Sequence, residues 1–480
     1  MFMMLVVALL DAIGIASILP FMTVLTNPSL VETNLFLNSM FEISKYFGIK
    51  NNQQFLFALG FVVLILLIIT LFFKAITTYL QARFVNMQEH NIGKRLVEGY
   101  LRQPYSWFLN RNSADLGKTI FSELRQIIGN GFRPMMDIIA KGIVTIAIVV
   151  LLFLNDPKLT LIISLSISSA YLFIFYVFKS YLYRIGKVRL KKNELRFITL
   201  NEAFGAAKEV KVGGLEKAYI NRFSEHQKVF SLHMASSQII SQLPRFILEA
   251  IAFGIVIVSI LYLMVQTNNF NAALPVITLY VFAGYRLMPA LQQMYSSFSQ
   301  INFVRASLDK LNDDIKSLRP FIQNKKQEVI LLNEKISLNN INYNYPNSSR
   351  SSLNDVNLTI PANSTVGLMG VTGSGKTTAI DIILGLLEPQ KGTLEVDGKI
   401  ISSENLRSWQ KLIGYVPQHI YLSDDSISSN IAFGINPTEI NYEVVEKVSK
   451  IANMHNFVMD QLPNQYQTII GERGVRLSGG

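Results

Sequence analysis

The chain has 480 residues, half of them hydrophobic, and its mean hydropathy is +0.31. Soluble domains are normally less apolar, so membrane spans are expected, and the length allows two or three domains. Cysteine is absent, which excludes disulfides, thiol catalysis and cysteine-ligated metals. The net charge of +11 occurs without any nucleic-acid-binding motif, and the basic residues flank apolar segments, which indicates the cytoplasmic side of a membrane.

Six apolar segments predict six membrane spans. They cover about 1–26, 55–84, 120–154, 158–178, 243–265 and 272–298. The first carries one charge, Asp11, and lacks the basic start and the small-residue cleavage site of a signal peptide. No Lys or Arg precedes Lys45, so we expect the natural N-terminus to lie upstream of Met1.

The connecting segments predict further helices. Apolar residues between 36 and 43 suit an amphipathic helix, either on the outer membrane surface or packed on its own neighbours in the loop. Pro104 and Gly117 bracket a predicted short helix at 105–109. Asn155–Pro157 predicts a tight external turn.

The distribution of basic residues predicts the orientation. Most lie in the stretches that follow the second and fourth spans, whereas the external loops hold only Lys45, Lys50 and Lys158. The positive-inside rule therefore places both stretches, and everything after the sixth span, in the cytoplasm. Residues 306–333 are interpreted as a linker, and a soluble domain is predicted from 334.

The soluble domain contains a phosphate-binding loop, G-x-x-x-x-G-K-T. A buried strand is predicted at Val366–Met369 before it, and a helix at Thr378–Leu384 after it. The glycines let backbone N–H groups face a polyphosphate, Lys376 reaches the β- and γ-phosphates, and the Thr377 hydroxyl can ligate Mg²⁺. The alternative, a glycine-rich turn with a chance lysine, does not account for the strand and the helix. The predicted nucleotide ligands are Gly370, Thr372, Gly373, Ser374, Gly375, Lys376, Thr377 and Thr378.

Three further stretches are informative together and weak alone. Tyr345 follows a predicted strand and can stack on adenine, although an ordinary strand tyrosine is the alternative. Gln418, also after a predicted strand, can sense Mg²⁺ and orient water. Ser478, Gly479 and Gly480 suit a second phosphate-binding face at a helix start, or else a flexible tail.

In this order and spacing, the set resembles the nucleotide-binding domain of ABC transporters. The phosphate-binding loop looks like their Walker A motif, Gln418 like the Q-loop, Tyr345 like the A-loop aromatic and Leu477–Gly480 like the start of the signature. Asp425–Gly434 and Gly471–Gly474 resemble flanking segments of exporters. With six spans ahead of such a domain, the chain resembles a type I ABC exporter half-transporter.

The resemblance implies a multi-domain fold in the bacterial inner membrane. An all-α six-helix transmembrane domain at 1–305 precedes a cytoplasmic P-loop α/β nucleotide-binding domain at 334–480. It also implies a homodimer, in which each ATP, with Mg²⁺ at Thr377 and Gln418, lies between Walker A of one chain and the signature of the other. The implied coupling helices are near Pro104–Ala114 and Ala206–Glu216.

The membrane half gives a narrower resemblance. The predicted surface helix, Leu243–Glu249 and Tyr285–Pro289 look like PglK-type lipid-linked oligosaccharide flippases. Charge inside a membrane is costly and usually faces a cavity or a partner. The functional interpretation is that Arg245, Arg286 and Lys74 attract a pyrophosphate headgroup.

The alternative is that these charges pair and stabilise the helix bundle. Arg245 and Glu249 are four residues apart on one helix face. Arg133, Asp137 and Lys141 share a face of the third span in the same way.

The sequence departs from the family at its end. In the family, the signature is followed by the Walker B aspartate, the catalytic glutamate and the switch histidine. None of these is among the 480 residues of this sequence. We therefore expect a sequence truncated at both ends, whose 480 residues do not hydrolyse ATP. The alternative functions are an exporter of peptides, lipids or drugs, and a catalytically dead ATP-binding membrane subunit. The spans exclude a soluble kinase. An importer is disfavoured, because importers of this family normally carry the spans and the ATPase on separate chains.

Overall fold

The computed structural model describes residues 2–267, 270–318, 329–346, 348, 350–418 and 420–471. The chain divides into two compact units, Met1–Gln323 and Asn324–Gly480. The first unit is helical, and the second combines helices with a small sheet.

Long helices joined by short ones form the first unit. In chain order they are α1 (Phe2–Ala16), α2 (Ile18–Thr26), α3 (Leu30–Thr33), α4 (Leu35–Lys45), α5 (Asn52–Leu101), α6 (Tyr105–Leu109), α7 (Ser113–Lys118), α8 (Leu124–Ile127), α9 (Arg133–Asn155), α10 (Pro157–Gly205), α11 (Ala207–Val212), α12 (Glu216–Thr267) and α13 (Phe270–Ser317). Two π-helical segments, Thr119–Glu123 and Ile128–Phe132, join α7, α8 and α9 into one continuous helix.

Four helical stretches are long and apolar enough to cross a membrane. They are Phe2–Thr26, Asn52–Leu101, Ser113–Asn155 and Thr160–Gly205. The 50 residues of α5 exceed the roughly 20 that a bilayer needs, so its length is compatible with the predicted projection beyond a membrane. The fifth and sixth predicted spans fall on α12 and α13, where few side chains between 251 and 277 belong to the described residues.

The helix boundaries follow local capping chemistry. The Asn51 side chain accepts a hydrogen bond from the Gln54 N–H at the start of α5, and Asn112 caps α7 in the same way. The short helix expected between Pro104 and Gly117 is confirmed as α6. The predicted turn at Asn155–Pro157 is also confirmed, because α9 ends at Asn155 and α10 begins at Pro157.

The predicted amphipathic helix is confirmed as α4. Leu37 on one face is buried against Val24 and Phe55, so the helix packs on its own neighbours. Phe36 and Ile43 on the other face are 65% and 60% exposed. The helix therefore keeps an apolar surface of the kind that lies on membranes.

The final helix of the first unit extends into the predicted linker. Residues 306–317 continue α13, and Leu311 is buried in a cluster with Leu96, Leu124 and Val304. A second cluster joins α1, α9 and α13 through Ile15, Ile148 and Ala283. Together these clusters pack α13 against α1, α5, α8 and α9.

The second unit contains four strands, five α-helices and two short 3-10 helices, Pro437–Glu439 and Gln465–Gln467, within the described residues. The strands and α-helices are β1 (Lys335–Tyr343), β2 (Leu353–Pro361), α14 (Lys376–Ile383), β3 (Lys391–Val396), β4 (Lys399–Ile400), α15 (Leu406–Gln410), α16 (Ile427–Ile431), α17 (Tyr442–Ile451) and α18 (His455–Gln461). The sheet is antiparallel, in the order β2-β1-β3-β4, with Leu338 of β1 opposite Leu358 and Leu394. Its core packs Leu338 and Leu394 against Ile382 of α14 and Trp409 of α15.

Two strand predictions are wrong in this structure. Val366–Met369, expected as a buried strand, has no regular structure, and Val366 and Met369 are 42% and 96% exposed. The segment before Gln418 also lacks a strand. A strand forms only with a hydrogen-bonded neighbour, and none of the four described strands pairs with either segment.

Candidate functional site

The backbone of the loop at 370–377 requires glycine at defined points. Gly373 and Gly375 have φ angles of +82° and +90°, which L side chains rarely adopt. A Cβ atom on Gly375 would also lie 2.6 Å from the Ser352 carbonyl oxygen. Gly375 is the N-cap of α14, so the loop turns directly into the helix as the sequence predicts.

Lys376 holds its ammonium group over this loop. Its Nζ donates hydrogen bonds to the carbonyl oxygens of Gly370 at 2.7 Å and Val371 at 3.0 Å. Thr372, Gly373 and Ser374 are exposed on the same loop. Together with the positive end of α14, the arrangement offers a cation and backbone N–H groups to an anionic ligand.

Tyr345, two residues after the end of β1, reaches the first turn of α14, directly after this loop. Its hydroxyl lies 3.2 Å from the Thr378 hydroxyl, and its ring packs edge-on against Tyr343. The structure therefore brings together two residues that the sequence assigned separately to the nucleotide. The Tyr345 ring is half-buried, which leaves part of its surface for a ligand.

The remaining predicted nucleotide residues are less constrained. Thr377 and Gln418 are both exposed, and neither side chain forms a hydrogen bond within the part of the chain that the structure describes. Both are therefore free to act as oxygen ligands of a cation. The predicted second phosphate-binding face, Ser478–Gly480, lies outside the described residues.

In the first unit, two of the three predicted headgroup residues meet at one carboxylate. Lys74 Nζ lies 2.8 Å from each Asp11 oxygen, and Arg286 Nη1 lies 3.2 Å from Asp11 Oδ1. The Asp11 side chain is 2% exposed, while those of Lys74 and Arg286 are 29% and 26% exposed. In the sequence, Asp11 stands out only as the sole charge of its apolar segment. That isolated charge is the one sequence feature that pointed to an ion pair at this position.

The third predicted headgroup residue is elsewhere. Arg245 Nε lies 4.0 Å from Glu249 Oε2, and both side chains are more than half exposed. This is the i,i+4 pair that the alternative interpretation predicted.

A cavity of about 290 Å³ lies next to the Asp11 cluster. Its lining includes the cations Lys74, Arg125, Arg133 and Lys141 and the carboxylates Asp11, Glu89 and Asp137. Asp137 accepts hydrogen bonds from the side-chain amides of Gln81 at 2.8 Å and Gln293 at 3.1 Å. In the described ranges, Arg125, Arg133 and Lys141 form no ion pair with a carboxylate.

A π-helical segment keeps Arg125 and Arg133 on one side of their helix. In an α-helix, residues eight apart are turned by about 80° from one another. The segment Ile128–Phe132 adds about one residue to a turn, since its bonds run from i to i+5, and turns later residues back by about 100°. Both arginines therefore line the same cavity.

Comparison with known proteins identifies the class to which these two units belong. Residues 12–294 match the model of the ABC transporter transmembrane region, and residues 353–480 match that of the ABC transporter family. The chain belongs to the ABC transporter family, with a membrane domain fused ahead of an ATP-binding domain. Membership implies that the second domain binds ATP.

Three relatives show how far the similarity extends. An ATP-dependent lipid A-core flippase of Wigglesworthia glossinidia brevipalpis is 25% identical over 81% of this chain, which spans 66% of that protein. An uncharacterized ABC transporter ATP-binding protein of Sinorhizobium fredii is 26% identical, over 92% of this chain and 72% of its own length. A heterocyst differentiation ATP-binding protein of a Nostoc species is 24% identical, over 87% and 68%.

A solved structure of a bacterial Atm1-family ABC exporter with ATP bound has the same fold. Its TM-score is 0.77 at 17% identity, over 98% of this chain and 80% of that one. The expected fold class is thereby confirmed: a helical membrane domain followed by a nucleotide-binding domain. The narrower resemblance to PglK-type flippases stays a prediction.

Proposed function

We propose that the chain is one half of an ATP-driven exporter or flippase of the bacterial inner membrane. Its substrate is an amphipathic molecule with an anionic headgroup, and a lipid-linked oligosaccharide is the first candidate. The observation that carries the proposal is the cavity lined by Lys74, Arg125, Arg133 and Lys141 beside the Asp11 cluster. An anion gains most from such cations in a low-dielectric site, where water screens them little.

The nucleotide half supplies the energy in this proposal. Backbone N–H groups of the loop and Lys376 bind the phosphates of ATP, while Tyr345 stacks on the adenine. Thr377 and Gln418, whose side chains are exposed and unbonded in the described residues, would hold Mg²⁺, which neutralises phosphate charge. Ser478, Gly479 and Gly480 act on the ATP of the partner chain in a homodimer.

Coupling between the two halves runs through short helices. α6 and α11 lie within the two segments predicted for this role. ATP bound between both chains favours a closed dimer, and hydrolysis releases it. The distribution of basic residues supports a cytoplasmic nucleotide-binding domain.

A lipid A-type lipid is the second candidate substrate. Several relatives are named ATP-dependent lipid A-core flippases, including the one from Wigglesworthia. The cationic cavity suits either substrate class, so the two are separated by comparing them in one transport assay.

The proposal is tested by lipid flipping in proteoliposomes that contain the protein purified from its native host. Arg286→Ala should lower the flipping of a fluorescent lipid-linked oligosaccharide while ATP still binds. Arg222→Ala is the control, since Arg222 pairs with Glu202 on an exposed surface outside the cavity. Unchanged flipping by Arg286→Ala, or an equal loss in the control, would overturn the role of Arg286.

A further inference from the structure

Asp11 occupies the position that an anionic headgroup would take. It touches Lys74 and Arg286, two of the three residues to which the headgroup is assigned, at 2.8 and 3.2 Å. A carboxylate and a phosphate use the same hydrogen-bond donors of lysine and arginine. An incoming anion and Asp11 therefore compete for the same two cations.

The charges around Asp11 favour a doubly charged ligand. Four cations line this cavity, Lys74, Arg125, Arg133 and Lys141, and Arg286 is bound to Asp11, so five positive charges face this region. Asp11, Glu89 and Asp137 line the same cavity and offset three of them, because the amides of Gln81 and Gln293 hold Asp137 in place without neutralising its charge. Two positive charges are left over, which matches a dianion and exceeds what a singly charged group can neutralise.

We infer that Asp11 is a built-in competitor of the substrate headgroup. It holds Lys74 and Arg286 when no substrate is present, and it yields them only to an anion of at least two charges, such as a pyrophosphate group. Asp11 thereby sets the selectivity of the site for multiply charged headgroups. The inference rests on the proposed function, because it assumes that the site accepts an anionic headgroup.

Binding of inorganic pyrophosphate tests the inference. Titration calorimetry is done in the Lys376→Ala background, so that the ATP-binding loop does not take up the probe. Asp11→Asn should tighten pyrophosphate binding about tenfold, which corresponds to about 1.4 kcal/mol. Asp137→Asn is the matched control, because it removes the same charge from the cavity without freeing a cation, so it should tighten binding less than Asp11→Asn does.

Each result has a definite meaning. Tighter binding by Asp11→Asn than by Asp137→Asn supports the competitor role. Binding by Asp11→Asn that is no tighter than that of Asp137→Asn overturns this role but leaves the headgroup site standing. No pyrophosphate binding by either protein overturns the headgroup site itself, and the competitor role with it.

A second measurement needs no variant of Asp11. A carbodiimide activates a carboxyl group, and a contacting lysine amine then forms an amide, while the carboxyl oxygen leaves with the reagent as a urea. Mass spectrometry of the unmodified sequence should find Asp11 joined to Lys74, and saturating pyrophosphate should suppress this product severalfold. A yield that pyrophosphate does not change would contradict displacement of Asp11.

Discussion

The buried ion pair between Glu123 and Arg189 gives the sharpest prediction of stability. Arg189 in α10 donates to both Glu123 oxygens at 3.1 and 3.0 Å, and the side chains are 0% and 4% exposed. Asn193 and Ser307 also donate to Glu123, at 2.6 and 2.7 Å. The carboxylate therefore joins a π-helical segment to α10 and α13.

Replacing Glu123 by Gln keeps the shape of the side chain and leaves the Arg189 charge buried without a counter-ion. Removing one partner of such a pair costs about 3–5 kcal/mol. Glu202→Gln is the control, because Glu202 lies 2.7 Å from Arg222 and both side chains are more than 40% exposed. An exposed pair of this kind contributes only about 0–1 kcal/mol.

The assay is thermal unfolding of the detergent-solubilised protein. At roughly 2 °C per kcal/mol, the value for large domains, Glu123→Gln should lower the midpoint by about 6–10 °C. The double variant Glu123→Leu/Arg189→Met should recover most of the loss, since neither charge of this pair remains. A Glu123→Gln midpoint no lower than that of Glu202→Gln would refute the reasoning.

Three further predictions concern the nucleotide-binding unit. Gly375→Ala should weaken trinitrophenyl-ATP binding roughly 5- to 150-fold, the equivalent of about 1–3 kcal/mol of backbone strain. Gly367→Ala is the control and should leave the affinity unchanged, because Gly367 has open space for a Cβ. Tyr345→Ala should weaken binding of the same probe about 3- to 10-fold through lost stacking, while Tyr345→Phe should bind nearly as the unmodified protein does. Hydrogen bonds from the backbone N–H groups of Asn333, Lys335 and Glu334 lower the pKa of Asp397. The contribution of Asp397 to stability is therefore present above about pH 4 and is lost as the pH falls through the lowered pKa. Hydrogen exchange should show that these three amides lose protection in acid, whereas in Asp397→Asn their protection should show no such acid loss.

Each of these three predictions has a result that would contradict it. Equal ATP affinity for Gly375→Ala and Gly367→Ala would mean that the left-handed backbone is not needed for binding. Similar affinities for both Tyr345 variants would remove the stacking role. Acid-resistant protection of the three amides in the unmodified chain would mean that the charge of Asp397 does not hold them.

Local signals predicted the elements that depend on local chemistry. The glycines and Lys376 identified the phosphate-binding loop because its backbone angles exclude other residues. Pro104 defined the start of α6, and the apolar spacing at 36–43 defined α4. In each case the structure is decided by residues within a few positions of one another.

Features that depend on distant partners were not predictable in this way. The strand expected at Val366–Met369 has no neighbour to pair with among the four described strands, and apolar composition alone does not supply one. Asp11 meets Lys74 and Arg286 only because α1, α5 and α13 pack together. The π-helical segment that aligns Arg125 with Arg133 has no clear sequence signal.

The most direct test of the proposed function is ATP-dependent transport by the protein purified from its native host. In proteoliposomes, ATP should drive flipping of a fluorescent lipid-linked oligosaccharide, and Lys376→Ala should reduce it to the rate without ATP. A lipid A-type lipid run in parallel distinguishes the two candidate substrates. Flipping of neither lipid, or flipping that Lys376→Ala does not change, would contradict an ATP-driven flippase.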